Sequence, residues 1–222
     1  MRPLDLPDGQ RIWLKRVETL SLRLRLLKGD AHKGLDRDRT GLQILGDAGL
    51  PVAPILHQGP GYIVTQDVGR PLDALLRDGS TDRSELEAAF AAAGTALAEL
   101  HQRGFCHGRP ALRDLCWDGS KIRLIDLECF SPRRTGAWFY SRDLLILLHN
   151  LLSIDRDAGD LADVMTRAYR GRGPERVFSC LRCRAMALVW LIPLIAPLRR
   201  LKPTSRELNA VPAALRYIWR GV

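Results

Sequence analysis

Apolar and polar positions alternate along Gln-Arg-Ile-Trp-Leu-Lys-Arg-Val at residues 10–17, after a turn at Asp8-Gly9, which predicts a strand carrying Lys15. Residues 20–30 also alternate, apolar against basic, as either a second strand or a basic amphipathic segment would. A helix is expected over 36–48, with Leu42 and Leu45 facing inward and Gly49 closing it. Residues 52–56 and 62–65 read as two strands joined by the turn His-Gln-Gly-Pro-Gly. Beyond them the period lengthens. A short helix is expected over 71–76 and a long one over 84–103, where Leu86, Phe90, Ala93, Leu97 and Leu100 recur at three- and four-residue steps. A hairpin follows within 104–130, then an almost wholly apolar helix opening at Asp143. An apolar run at 185–198 and a last helical stretch at 213–220 complete the chain. These elements make an α+β chain with no internal repeat.

At 222 residues the chain can hold one substantial core or two smaller units sharing a cleft. Its 46% hydrophobic and 27% charged content is ordinary for a folded soluble protein. Its net charge of +9 is not, and all but five of its 34 basic residues are arginine. Such a surface favours phosphates, anionic lipid or nucleic acid, although a coding bias toward arginine gives the same composition. Aromatic residues are 6% of the chain and do not interleave with the basic ones in an RNA-binding signature, so nucleic acid is not an expected partner. Five cysteines and a first segment without an apolar leader predict a reduced, cytoplasmic setting. Cys180 and Cys183 have the spacing of half a zinc site, but no second pair follows at finger spacing, so they read as helix cysteines one turn apart.

Residues 104–130 carry most of the chemistry. The turn Asp118-Gly119 before Lys-Ile-Arg-Leu-Ile is a hairpin signal, and it leaves Asp114 and Asp126 at the mouths of paired strands. Two carboxylates on such rigid supports suit an enzyme whose metal-bound triphosphate both must reach. The stretch His107-Gly108-Arg109-Pro110-Ala111-Leu112-Arg113-Asp114, followed by Leu124-Ile125-Asp126-Leu127-Glu128, resembles the catalytic and metal-binding loops of protein-kinase-like enzymes. The variety it is most similar to is the bacterial lipopolysaccharide kinases, which phosphorylate Kdo and heptose.

That resemblance implies a protein-kinase-like two-lobed fold. Residues 1–69 would form an N-lobe with a small, abbreviated sheet and one helix, and residues 70–222 a mostly helical C-lobe. It implies ATP and Mg2+ as cofactors, with Asp114 and Asp126 as metal ligands and, together with Arg109, as the catalytic positions. Lys15 would lie on the nucleotide phosphates, paired with Asp38, and Gln66, Asp67 and Val68 would neighbour the adenine. His107 and Asp143 would be structural anchors of the loop. The chain departs from the family at position 109, where arginine replaces the proton-accepting aspartate, and at 114, where aspartate replaces the metal-binding asparagine. A guanidinium is permanently protonated, and general-base assistance is worth about 10²–10⁴ in rate. Two readings therefore stand. One is phosphoryl transfer to a sugar hydroxyl of an envelope glycan, with Asp114 or another acid compensating; the other is a pseudokinase, a nucleotide-binding regulator at the inner membrane.

Four further expectations follow. Only fourteen residues precede Lys15, too few for a complete first hairpin with a glycine-rich phosphate loop, so either the cover is cut down to the Asp8-Gly9 turn or the lobe is incomplete. Asp38 is one methylene shorter than the family's glutamate, so its pair with Lys15 should be stretched or need a shifted helix. The segment 131–136 is too short for an extended peptide-docking loop. Finally, the apolar run at 185–198 is shorter than a membrane span and lies within the basic-flanked segment 182–202. It reads either as a buried C-lobe helix or as a peripheral contact with an anionic inner-membrane surface.

Overall fold

The computed structural model describes residues 1–17, 31–190 and 192–221; the alternating segment at 20–30 lies outside the described residues. Strands β1 (Arg2–Asp5) and β2 (Arg11–Arg16) pair antiparallel with Leu4 opposite Ile12. Their connection is closed by the Leu6 N–H donating to the Gln10 carbonyl at 2.8 Å and by the Asp8 carboxylate accepting the Gln10 N–H at 3.0 Å. The first hairpin is therefore formed, and its connection is the short Asp8-Gly9 turn, the first of the two alternatives expected. Five residues connect the two strands.

Helix α1 (Ala31–Asp47) starts before the expected position and ends as expected, with Gly49 at φ +72° and the Leu50 N–H returning to the Leu45 carbonyl. Strands β3 (Ile55–Gly59) and β4 (Tyr62–Gln66) complete a four-stranded sheet of order β1-β2-β4-β3. The strand expected over 52–56 thus begins three residues later. Pro51 and Pro54 have no N–H to give to a ladder, and Val52 instead forms a lone parallel bridge with Leu124. That bridge ties the sheet to the hairpin of β6 (Leu115–Trp117) and β7 (Ile122–Leu124), which with β5 (Arg70–Pro71) makes a second, three-stranded sheet.

Helices α2 (Leu72–Arg77), α3 (Arg83–Gln102), α4 (Ala137–Ile154), α5 (Gly159–Arg170), α6 (Val177–Val189), α7 (Ile192–Leu201) and α8 (Arg206–Gly221) make up the rest. Helix α4 opens at Ala137, six residues before Asp143, because Gly136 lets the chain turn at φ +98° and Tyr140 is already packed inward. Asp143 therefore lies inside the second turn, facing the core. Leu144, Leu147, Leu148 and Leu151 of α4 are fully buried, and one continuous apolar cluster runs from Leu42 and Leu45 of α1 to Leu215 and Ile218 of α8. The architecture is α+β, as expected. The apolar run at 185–198 splits: α6 buries Val177, Phe178, Leu181 and Ala185, whereas α7 buries none of its side chains. Among the described residues, no single helix is long and apolar enough to cross a membrane.

Where α1 crosses the segment after β7, the two come very close. A Cβ added at Gly41 would lie 2.8 Å from the Leu127 Cβ and 3.1 Å from the Phe130 ring. Gly41→Ala is expected to lower stability by about 1–3 kcal/mol through overpacking, despite a gain of up to about 1 kcal/mol in helix propensity. A lower urea midpoint with unchanged slope is the expected result, and a higher midpoint would show that the contact yields freely.

Candidate functional site

Pairing of Leu115 with Leu124 fixes the chemistry of the β6–β7 hairpin. Asp114 enters β6 and Ile125-Asp126 leaves β7, so both acids emerge at the same end, and the Ile125 N–H donates to the Asp114 carbonyl at 2.9 Å. Asp114 closes a single 3-10 turn (Leu112–Asp114), where its carboxylate accepts the Ala111 N–H at 2.9 Å and the Leu112 N–H is held by Asn150 Oδ1 at 2.8 Å. Asp126 has φ +59°, and among the described residues no other non-glycine has a positive φ. Aspartate tolerates this left-handed conformation better than most residues, at a modest cost in strain.

The turn at Asp126 aims its carboxylate at Lys15 on β2. The Lys15 Nζ lies 2.7 Å from Asp126 Oδ1, 2.7 Å from Asp38 Oδ2 and 2.9 Å from Glu128 Oε1. Asp38 is buried in α1, and its other oxygen accepts the Leu127 N–H at 2.7 Å, so one carboxylate holds both the ammonium and the backbone beside Asp126. The pair is not stretched, so of the two alternatives expected for the shorter acid the one left is a helix set closer to the strand. With no side chain at Gly41, α1 packs closely on Leu127 and Phe130, and from there Asp38 reaches the lysine. Burial works against the charge of Lys15, but Asp38 and Asp126 outweigh it and hold the lysine above its usual range. Burial also opposes ionisation of Asp126, yet Lys15 prevails and keeps that carboxyl below its ordinary value. For Asp38 burial wins over the lysine and the Leu127 N–H, and the carboxyl lies above the usual range. Burial pushes Asp114 up to about 6, with the Asp126 charge adding to it against the pull of His107.

These groups line a cleft of about 460 Å³ between the four-stranded sheet and the β6–β7 hairpin. Lys15, Gln66, Asp67, Val68, Asp114 and Asp126 all face it, and Asp38 stands behind Lys15. The structure does not bring Arg109 there. Arg109 is exposed and lines a separate cavity of about 490 Å³ together with Arg77, Arg113 and Arg206. Two charged residues of the cleft were not expected from the sequence. Glu128, two positions past Asp126, is a third partner of Lys15, and Arg113, beside Asp114, lines both cavities. Proximity to the two acids in sequence was the available signal for each.

Behind the cleft the loop is braced. The Asp143 carboxylate accepts the His107 N–H at 2.7 Å and the Gly108 N–H at 3.1 Å. The His107 Nε2 lies 3.0 Å from the Ile125 carbonyl, which selects the tautomer with its proton on Nε2. Gly108, at φ +97°, passes so close to the next loop that a Cβ there would meet the Cys129 carbonyl oxygen at 2.3 Å.

Among the described residues no three histidine, cysteine, aspartate or glutamate side chains are grouped to hold a metal ion. Asp114 and Asp126 are a two-carboxylate set of hard oxygens. That fits a Mg2+ ion completed by ligand phosphates and water, and not a cage built wholly by protein.

No protein-family model matches the chain. A protein of Haemophilus influenzae described as uncharacterized is 30% identical over 144 residues, which are 65% of this chain and 60% of that protein. The chain thus spans about three fifths of that relative's length. A solved structure titled as the co-crystal structure of WbdD and the kinase inhibitor LY294002 is similar at a TM-score of 0.48 and 16% identity, over 77% of this chain and 45% of that one.

Proposed function

We propose that this chain is a kinase-like protein of the lipopolysaccharide-kinase type, binding ATP with Mg2+ in the cleft and transferring phosphate to a sugar hydroxyl of an envelope glycan. The observation that carries this reading is a single ammonium held at 2.7 Å by both Asp38 and Asp126, in the cleft that Asp114 also lines. Asp38 fixes the lysine's position while the half-exposed Glu128 is free to yield to a phosphate oxygen. Asp114 and Asp126 would hold Mg2+, which neutralises charge on the transferring phosphoryl group when bound. Gln66, Asp67 and Val68 line the same cleft where the base would lie.

The acceptor side follows from Arg109. Its cavity has four arginines against Asp73 and Glu207, a net positive lining, and shares Arg113 with the cleft. An acceptor carrying a phosphate or carboxylate would sit there beside the triphosphate. A second reading, a nucleotide-binding regulator, is supported by the same residue, because Arg109 offers no proton acceptor.

Thermal unfolding in millimolar ATP, with and without MgCl2, tests the reading. Ligand at one hundred times its Kd adds about 2.7 kcal/mol, which for a chain of this size is a Tm rise of about 5–10 °C. The rise is expected only with Mg2+ and not in Asp126→Asn; its absence from the wild type would exclude both readings. ADP release that depends on an anionic glycan acceptor then separates enzyme from regulator. If Arg109 binds the acceptor, Arg109→Glu raises the acceptor KM and leaves ATP affinity unchanged, whereas an equal loss of both would remove Arg109 from that role.

A further inference from the structure

Helix α7 is seated on the protein by one face and leaves the other bare. Ile192, Ile195 and Arg199, at helical spacing, are half-buried, and Arg199 Nε donates to Asn209 Oδ1 on α8 at 3.1 Å. On the outer face Leu194, Leu198 and Leu201 recur at four- and three-residue steps and are 67%, 49% and 78% exposed. Trp190, at the bend before α7, is 81% exposed. Isolated apolar side chains on a surface are ordinary; three leucines along one helix face, with an exposed tryptophan at the bend before it, are not.

The charge around the stripe names the occupant. From residue 177 to residue 205 the chain contains no acid and five basic residues, among them the exposed Arg200 and Lys202 at the end of α7. A second copy of this chain would have to place those like charges against each other if the stripes met face to face. An anionic bilayer instead accepts leucines into its acyl boundary, tryptophan at the headgroup level and arginine or lysine among the phosphates. We infer that α7 lies in the plane of an anionic phospholipid surface, with Trp190, Leu194, Leu198 and Leu201 inserted and Arg200 and Lys202 on the headgroups. The inference does not depend on nucleotide binding. It adds a consequence for the Arg109 cavity: four residues link Leu201 to Arg206, which lines that cavity, so docking would hold the cavity near the lipid headgroups.

The test is co-sedimentation of the full chain with phosphatidylcholine vesicles, with or without phosphatidylglycerol, while the Trp190 contribution to fluorescence is followed by comparison with Trp190→Ser. Binding is expected to the anionic vesicles alone, with a blue shift that Trp190→Ser removes. Each basic residue near such a surface is worth about 1 kcal/mol, so Arg200→Glu with Lys202→Glu should weaken binding by at least about tenfold. Leu194→Asp with Leu198→Asp should abolish it. All these side chains lie outside the core, so every variant should keep the wild-type Tm, and Asp126→Asn should bind vesicles normally. Equal binding to neutral vesicles, binding unaffected by these variants, or a dimer in sedimentation velocity that Leu194→Asp dissociates without any vesicle binding would each overturn the inference.

Discussion

Asp143→Ala is expected to lower stability by about 3–5 kcal/mol, since it strands two buried N–H groups and removes a charged acceptor, at about 1–3 kcal/mol for each unsatisfied group. Asp143 is 1% exposed and receives the N–H groups of both His107 and Gly108. Its Oδ2 also lies 3.4 Å from the His101 Nε2, and the other nitrogen of that ring is 2.7 Å from the Tyr169 hydroxyl. Alanine therefore opens a hole where three elements meet and leaves the turn into the 107–114 loop without its brace. Asp143→Asn, which keeps an acceptor oxygen, should lose distinctly less. Urea unfolding reads both, and a loss under about 1 kcal/mol for alanine would show that the loop holds itself. The same network sets an acid limit. Burial lowers the His101 pKa below 6.5 against the pull of Asp143. The unfolded chain thus takes up a proton near pH 6.5 that the folded chain refuses, and stability should fall as the pH drops below that value.

Lys15→Met carries the second large effect. It keeps most of the apolar stem and deletes the ammonium, leaving Asp38, Asp126 and Glu128 together without a cation. Breaking one side of a buried ion pair costs about 3–5 kcal/mol because the remaining charge is uncompensated. Most of that loss belongs to Asp38, which is 2% exposed; Glu128 is exposed enough for water to screen it. Adding Asp38→Asn to Lys15→Met should therefore restore part of the stability, while the double variant still fails to gain stability from ATP and Mg2+. A strictly additive double variant would mean that the two side chains do not act as a pair.

Much of this arrangement can be read from the chain itself. Alternation placed Lys15 on a strand, and the Asp118-Gly119 turn fixed a hairpin whose ends must carry Asp114 and Asp126 together. Asp38 was recognisable as a candidate, but its distance to Lys15 was not, because that depends on how closely α1 approaches at Gly41. Prolines 51 and 54 delayed β3 in a way that the apolar pattern of residues 52–56 concealed. Arg109 occupies a position defined by resemblance, yet its side chain lines the cavity outside the cleft, a direction that no periodicity encodes. The bare outer face of α7 was equally hidden, since an apolar run reads the same whether a protein core or something else covers it.

On the proposed reading, Asp114 and Asp126 share one cation beneath a triphosphate held by Lys15. A crystal structure with Mg2+ and a non-hydrolysable ATP analogue tests it most directly. A metal ion is expected about 2.1 Å from an oxygen of each aspartate, with Lys15 on a phosphate oxygen, still paired with Asp38 and released from Glu128. A nucleotide bound outside this cleft, or a metal ion touching neither aspartate, would contradict it.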